Sequence, residues 1–403
     1  MTQPTRPADR YTPLYFLSSV GAGGLAVTFF MYLMFWVPHP DAPVPVFNDI
    51  LAAWSTGTPP RQIAIVIAMT GIAVFAFLNI KALLWNLAAF AEFARTEAYT
   101  ALRQSNAEAT LLARPLALAM SVNALFIVGL VFVPDLWNIV EYLFPAAMLA
   151  FVLIAGLALR EIGVFLGRIL SSGGAFDMTQ HNSFGQLLPA FALAMTGVGL
   201  AAPAAMSTNP TTVGVALILS TFLATASTIY AAIALITAMS SMLHHGTAKE
   251  AAPTLMIVVP LMTILGILIM RQDHGLHTTF GGHTTTADTL MFLARFVSVQ
   301  LLFLALGLVV MTRQGYFKSF VFGHKTSPGS YALVCPGVAF QVLMFFFINK
   351  GLVAAQIIDK FSPAYWGLTA VALTAQAAMV LLVFRLNRQH FGRPRSTAAV
   401  PAE

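Results

Sequence analysis

SYALVCPGVAFQVLMFFFIN, residues 330–349, places the chain's one cysteine beside a proline, close to the start of an otherwise uninterrupted apolar run. A proline removes a helical hydrogen bond and normally breaks a soluble helix, so the run must sit where an interruption is tolerated. A lipid bilayer with packed neighbouring helices is such a setting.

The rest of the chain agrees. Of 403 residues, 58% are hydrophobic and 9% are charged, and the mean hydropathy is +0.80. About 20 apolar residues at 1.5 Å each cross a hydrocarbon core. Ten runs qualify: 14–36, 62–86, 111–133, 138–160, 185–205, 211–240, 253–270, 288–311, 331–349 and 364–386. They leave a polar N-terminal tail (1–13), a ten-helix domain (14–386), a C-terminal tail (387–403) and no sizeable soluble domain. The opening MTQPTRPADRYTP is polar, and no small-residue cleavage site follows the first apolar run, so that run reads as a retained span.

Basic residues set an expected orientation. Arg6, Arg10, Arg95, Arg103, Arg114, Arg160, Arg168, Lys249, Arg313, Lys318, Lys325, Arg385, Arg388, Arg393 and Arg395 fall on the side of the termini. Arg61, Arg271, Lys350 and Lys360 fall on the other, while Lys81 and Arg295 lie inside spans. Fifteen against four predicts cytoplasmic termini and accounts for the net +6 as topology. Nucleic-acid binding would need a clustered basic face on a folded domain.

Taken in pairs, the spans show a repeat. Pro115, Pro189, Pro260 and Pro336 each stand near the start of an odd span, and Gly21, Gly23 and Gly24 stand at comparable depth in the first. PLALAMSVNALFIVGL and PAFALAMTGVGLAAPA, from Pro115 and Pro189, share the text ALAM followed by Ser or Thr. Short connections (PDLW, STNP) force odd–even pairs into antiparallel hairpins. Interrupted helices free backbone groups, which is tolerable where they line a cavity or pack in protein. The expectation is an all-α polytopic membrane protein of five hairpins, odd helices inside around a path and even helices outside.

On this pattern the chain resembles the tellurite-resistance/dicarboxylate transporter family, which includes TehA-type channels and the plant slow-anion channels. YFLSSVGAGGLAVTFFMYLMFWVPHP, residues 15–40, is similar to the opening of the TsoY group, some of whose members are selenoproteins. The resemblance implies ten spans in quasi-fivefold symmetry, cytoplasmic termini in a bacterial inner membrane, and a homo-oligomer, often a trimer. It also implies that Tyr331 to Pro336 matches the family's stretch in which a phenylalanine before the proline plugs the pore. Cys335 then stands in the plug's place, and Phe340, Phe345, Phe346 or Phe347 of the same span would supply an occluding ring at another depth.

Individual residues carry alternatives. Cys335 is either a small packing residue or a soft thiol that meets a sulfur or selenium species. Glu141 and Arg295 sit in the first turns of spans four and eight; they pair with each other, or Arg295 draws anions to the mouth. Lys81 reads as snorkelling. Asn123, Gln300 and Gln341 read as interhelical hydrogen bonds, with Asn123 and Gln341 also placed to face the path. The stretch RQDHGLHTTFGGHTTTAD, 271–288, reads as an outer loop in which His274, His277 and His283 are candidate metal ligands, against the plainer reading of solvated residues. Residues 87–110 read as a solvated connector, or an extension of span two followed by a surface helix.

No cofactor is expected: no ATP-binding motif is present, and no histidine lies mid-span for a bis-histidine haem. The leading function is passive or secondary movement of a small anion, with a sulfur or selenium oxyanion as a candidate, through a pore lined by the odd spans and stabilised by dipoles and backbone N–H groups that interrupted odd helices turn to the axis. The alternatives are a membrane thiol or selenol redox protein acting through Cys335, and a metal-binding transporter or sensor using the outer histidines.

Overall fold

The computed structural model describes residues 6–172, 176–180 and 182–392, so Arg393 and Arg395 lie outside the described residues. Among the described residues ten helices are long and apolar enough to cross a membrane. They are, in order, Pro13–Trp36, Pro59–Phe93, Asn106–Phe132, Leu136–Ser171, Phe184–Met206, Pro210–His245, Lys249–Phe280, Thr286–Arg313, Pro328–Val353 and Pro363–Phe391. No strand occurs among the described residues. With no water in lipid to satisfy backbone groups, helices meet the constraint within each span.

Odd and even spans are used differently. In their most apolar stretches the odd spans are 83, 56, 100, 67 and 78% buried inside the protein, and the even spans 39, 33, 22, 22 and 22%. The five odd spans therefore form the interior. Span one packs on span three, three on five, five on seven, seven on nine, and nine on one again, which closes a ring. Each even span lies against the odd span before it.

Close approach within the ring rests on small residues. A Cβ on Gly24 would stand 2.8 Å from Cγ1 of Val338, so spans one and nine touch nearly backbone to side chain. Gly275 in span seven lies directly against the carbonyl of Ala204 in span five.

The prolines act differently from expectation. Every odd α-helix is preceded by a 3₁₀ segment: Pro13–Tyr15, Asn106–Leu112, Phe184–Leu187, Lys249–Met256 and Pro328–Leu333. At each junction an N–H bonds the carbonyl three residues back: Phe16 to Pro13, Ala113 to Thr110, Leu188 to Gly185, Ile257 to Thr254 and Val334 to Tyr331. Pro115, Pro189, Pro260 and Pro336 then occupy the first turn of the α-helix, where a missing N–H costs little. They mark the junction from 3₁₀ to α rather than a mid-span kink. One backbone donor at the start of each odd α-helix is thereby engaged with a 3₁₀ carbonyl.

A break does occur in span five, between Leu200 and Ala202. Pro203 lacks the N–H that the Gly199 carbonyl would accept.

Two boundaries also differ. Span seven continues as helix to Phe280 and stops at Gly281 in the left-handed region, so 271–280 is not a loop. Span ten runs to Phe391, into the expected tail. Between spans one and two, Phe47–Thr56 is helical and packs on spans two and three.

At the terminus-bearing end, residues 87–110 continue span two to Phe93 and then form a helix, Glu97–Arg103. This stretch brings Glu108 into an ion cluster. Glu108 pairs with Arg103 (3.1 Å) and Arg168 (2.9 Å), and Glu161 pairs with Arg103 (2.8 Å) and Arg114 (3.2 Å). Both carboxylates are buried, and the cluster ties the second connection to span four.

Three outcomes test this packing. Gly275→Ala must displace a backbone carbonyl and should cost about 1–3 kcal/mol in a thermal-unfolding series. Gly163→Ala, with nothing within 4 Å of the new Cβ, should be neutral or stabilising. Glu161→Gln leaves two guanidinium groups short of a partner and should cost about 2 kcal/mol, less than a fully buried pair because the arginine heads are partly exposed.

Candidate functional site: a cavity inside the ring

The ring encloses a cavity of about 1030 Å³. All five odd spans line it: Gly21, Gly24 and Met31 from the first, Met120 and Asn123 from the third, and Phe191, Met195 and Val198 from the fifth. The seventh supplies Pro260, Ile264, Arg271 and His274, and the ninth Cys335, Val338 and Val342.

Depth follows from position along these helices. Toward the terminus-bearing end the wall stops at Val20, Met120, Phe191, Pro260 and Cys335. Next along these helices, Leu17, Leu116, Leu187, Leu188 and Val334 are buried in the apolar core. This position, where the lining ends, is the cavity floor. At the opposite end the lining includes His39, His277, Thr284, Asp288 and Lys350, which come from the far-side connections and helix ends.

Arg271 is the distinctive group. Its Nη1 donates to the carbonyl of Val198 at 2.7 Å. Val198 lies just ahead of the break at Ala201 and Pro203, so a distorted stretch of span five positions the guanidinium. Among the described residues no carboxylate oxygen lies within 4.0 Å of its nitrogens. A guanidinium stays protonated and carries five donors in a fixed fork, a match for planar or monatomic anions.

The far end of the cavity is charged: Arg271 and Lys350 stand on its lining with Asp273 and Asp288. Burial, with the nearby charges of Arg61 and Lys350, holds the Lys360 ammonium below its usual range. These three groups therefore feel each other's field at the far end.

The sequence-nominated residues divide. Gly21, Gly24, Asn123, Pro260, Cys335, His274 and His277 stand on the wall. Asn123 spends its amide on the Ala119 carbonyl (2.9 Å) and the Met195 sulfur (3.8 Å). Gly23 instead faces Asn79 of span two and Met120. Pro115, Pro189 and Pro336 are buried in first turns. Gln341 donates to the Thr28 carbonyl at 3.3 Å, an interhelical bond, and Gln300 donates to the Val259 carbonyl at 2.9 Å. Phe340 is packed into the apolar core, and Phe345 stacks on Tyr32 at 6.0 Å. Phe346 is the aromatic of that span which reaches the wall.

Glu141 and Arg295 do not pair. Glu141 accepts from Ser207 Oγ (2.7 Å), Thr208 N (2.6 Å) and Thr208 Oγ1 (3.0 Å), fixing the turn between spans five and six. Arg295 is exposed on the outer face of span eight, as is Lys81 on span two.

The metal expectation is corrected. Among the described residues no group of three or more His, Cys, Asp or Glu is arranged to hold a metal ion. Because 271–280 is helical, His274 faces the cavity, while His277 Nδ1 is engaged with the Gly282 carbonyl at 2.8 Å. The rings of His277 and His283 lie 6.1 Å apart.

Sequence reading missed Arg271, having assigned it to a loop. The signal was there: Pro260, Thr263, Ile264, Ile267, Met270, Arg271, His274 and His277 recur at helical spacing, and all of them line the cavity.

A second missed group lies at the terminus-bearing end. Tyr15 Oη and His390 Nδ1 are 2.9 Å apart, and Tyr331 Oη donates to Asn387 Oδ1 at 2.9 Å. All three rings are buried, closing spans one, nine and ten together below the floor.

No protein-family model matches this chain, and no curated protein matches it.

Cys335 reports on the cavity. A small neutral methanethiosulfonate should label it, and Val338→Trp, which fills the space one turn above, should slow labelling about tenfold or more. An unchanged rate would mean that the thiol is reached by another route.

Proposed function

We propose that this protein is a channel or secondary transporter for a small anion, with the ring of odd spans as its path. Ten apolar helices fit a membrane transporter or channel in general. The observation that carries the finer reading is Arg271, a guanidinium without a carboxylate partner on the wall of a cavity inside the spans. An unneutralised charge at such depth is costly and marks a substrate or ion pathway.

The mechanism follows from the positions. Arg61, Lys350 and Lys360 supply positive charge at the far end, offset in part by Asp273 and Asp288 on the lining. Arg271 then replaces part of the anion's water shell, and no carboxylate sits beside it to compete. Passage onward requires the aliphatic floor to part, since Leu17, Leu116 and Leu188 fill the ring there; this floor, rather than a phenylalanine ring, is the closure. The same proposal places the chain in a bacterial inner membrane with cytoplasmic termini and near the TehA-type and TsoY proteins that its sequence resembles. A trimer is the assembly this resemblance implies.

A thiol redox role for Cys335 is the second reading, favoured by its place on the cavity wall. One assay separates the two. In proteoliposomes, Arg271→Gln should cut anion flux about tenfold or more, Arg271→Lys should keep part of it, and Cys335→Ser should leave it intact. Flux lost in Cys335→Ser and kept in Arg271→Gln would reverse the assignment.

A further inference from the structure

We propose that the anion is monovalent and carries an apolar body, with its head on Arg271 and its body in the deep half of the cavity. This rests on the anion-transport reading above and adds the chemical class of the substrate.

The argument is the distribution of polarity along the wall. Between the floor and Arg271 the lining is Met120, Met195, Phe191, Ile264, Val338 and similar apolar groups, with no charged side chain. Its polar side chains are already committed. The Asn123 amide is used within the protein, and Thr263 Oγ1 donates to the Ala339 carbonyl at 2.8 Å. At the starts of spans seven and nine the Ile257 and Val334 N–H groups are held by 3₁₀ carbonyls, and Pro260 has no N–H to offer.

A bare inorganic anion moving past Arg271 would therefore shed water with no donor to replace it. An anion with a hydrocarbon or aromatic body gains instead. Pro260 and Arg271 are about 16 Å apart along one helix, room for a carboxylate head and a medium-length chain. Methionine thioethers adapt to bodies of different shape. A second charge on the ligand would have to lie against this apolar wall, so the site selects against dianions. Asp273 and Asp288 are on the lining from Arg271 outward and add to that selection at the mouth.

Cys335, at the floor, provides the readout. In nanodiscs, methyl methanethiosulfonate labelling of Cys335 is timed with chloride, acetate, butanoate, hexanoate, octanoate, succinate or neutral octanol present. Protection should strengthen about fourfold per added methylene, with succinate and chloride the weakest. In Arg271→Gln the octanoate curve should fall onto that of octanol; Arg271→Lys, which keeps the charge, should restore most of the difference. A cysteine placed at lipid-facing Ile218, in a Cys335→Ser background, corrects for partition into the bilayer.

Equal protection by chloride and octanoate, with Arg271-dependent chloride flux, would overturn this proposal and leave anion transport standing. Octanoate protection that ignores Arg271 would overturn the head-group placement. Absence of protection and flux for every anion would remove both.

Discussion

Closure of the five odd helices into a ring is the constraint on which everything else depends. Lipid offers no hydrophobic drive between helices, so association relies on close packing and on interhelical hydrogen bonds. Gly24 against Val338, and Gly275 against the Ala204 carbonyl, supply the first. Asn79 to Ser19, Gln300 to Val259 and Thr263 to Ala339 supply the second. A ring of five helices held this way cannot fill its own centre. The cavity is a product of the packing, and the even helices shield it from lipid.

The 3₁₀ segments complete that geometry. Each narrows the chain where it begins an odd span and hands its carbonyls to the first α-helical N–H groups. The floor is consequently apolar and short of donors, which gives the interior its polarity gradient: apolar at the terminus-bearing end, charged from Arg271 outward. Function on this account comes from the gradient rather than from exposed helix dipoles.

Much of this was legible in the sequence. Span number and the inside position of odd helices followed from hydropathy and from the recurring prolines, because apolar length and helix-start chemistry are local properties. The role of those prolines was not, since the 3₁₀ segments before them are set by how each chain segment meets its neighbours. Arg271 was hidden by a polar cluster that ended the apolar window at residue 270, although the helical spacing of the wall residues continued through it. Glu108 and Glu161 were illegible for another reason: their partners come from a connector and two spans distant in sequence. His390 was concealed at the end of a span, where a histidine reads as a solvated terminus; only its neighbours Tyr15 and Tyr331 make it part of the core.

The central claim is that an anion seats on Arg271 inside the ring. Anomalous diffraction from crystals grown in concentrated bromide tests it without any transport assay. The account predicts a bromide peak within hydrogen-bonding distance of the Arg271 guanidinium, lost in Arg271→Gln. A well-ordered Arg271 with no peak beside it, or one whose charge is met by a carboxylate of the protein, would contradict it.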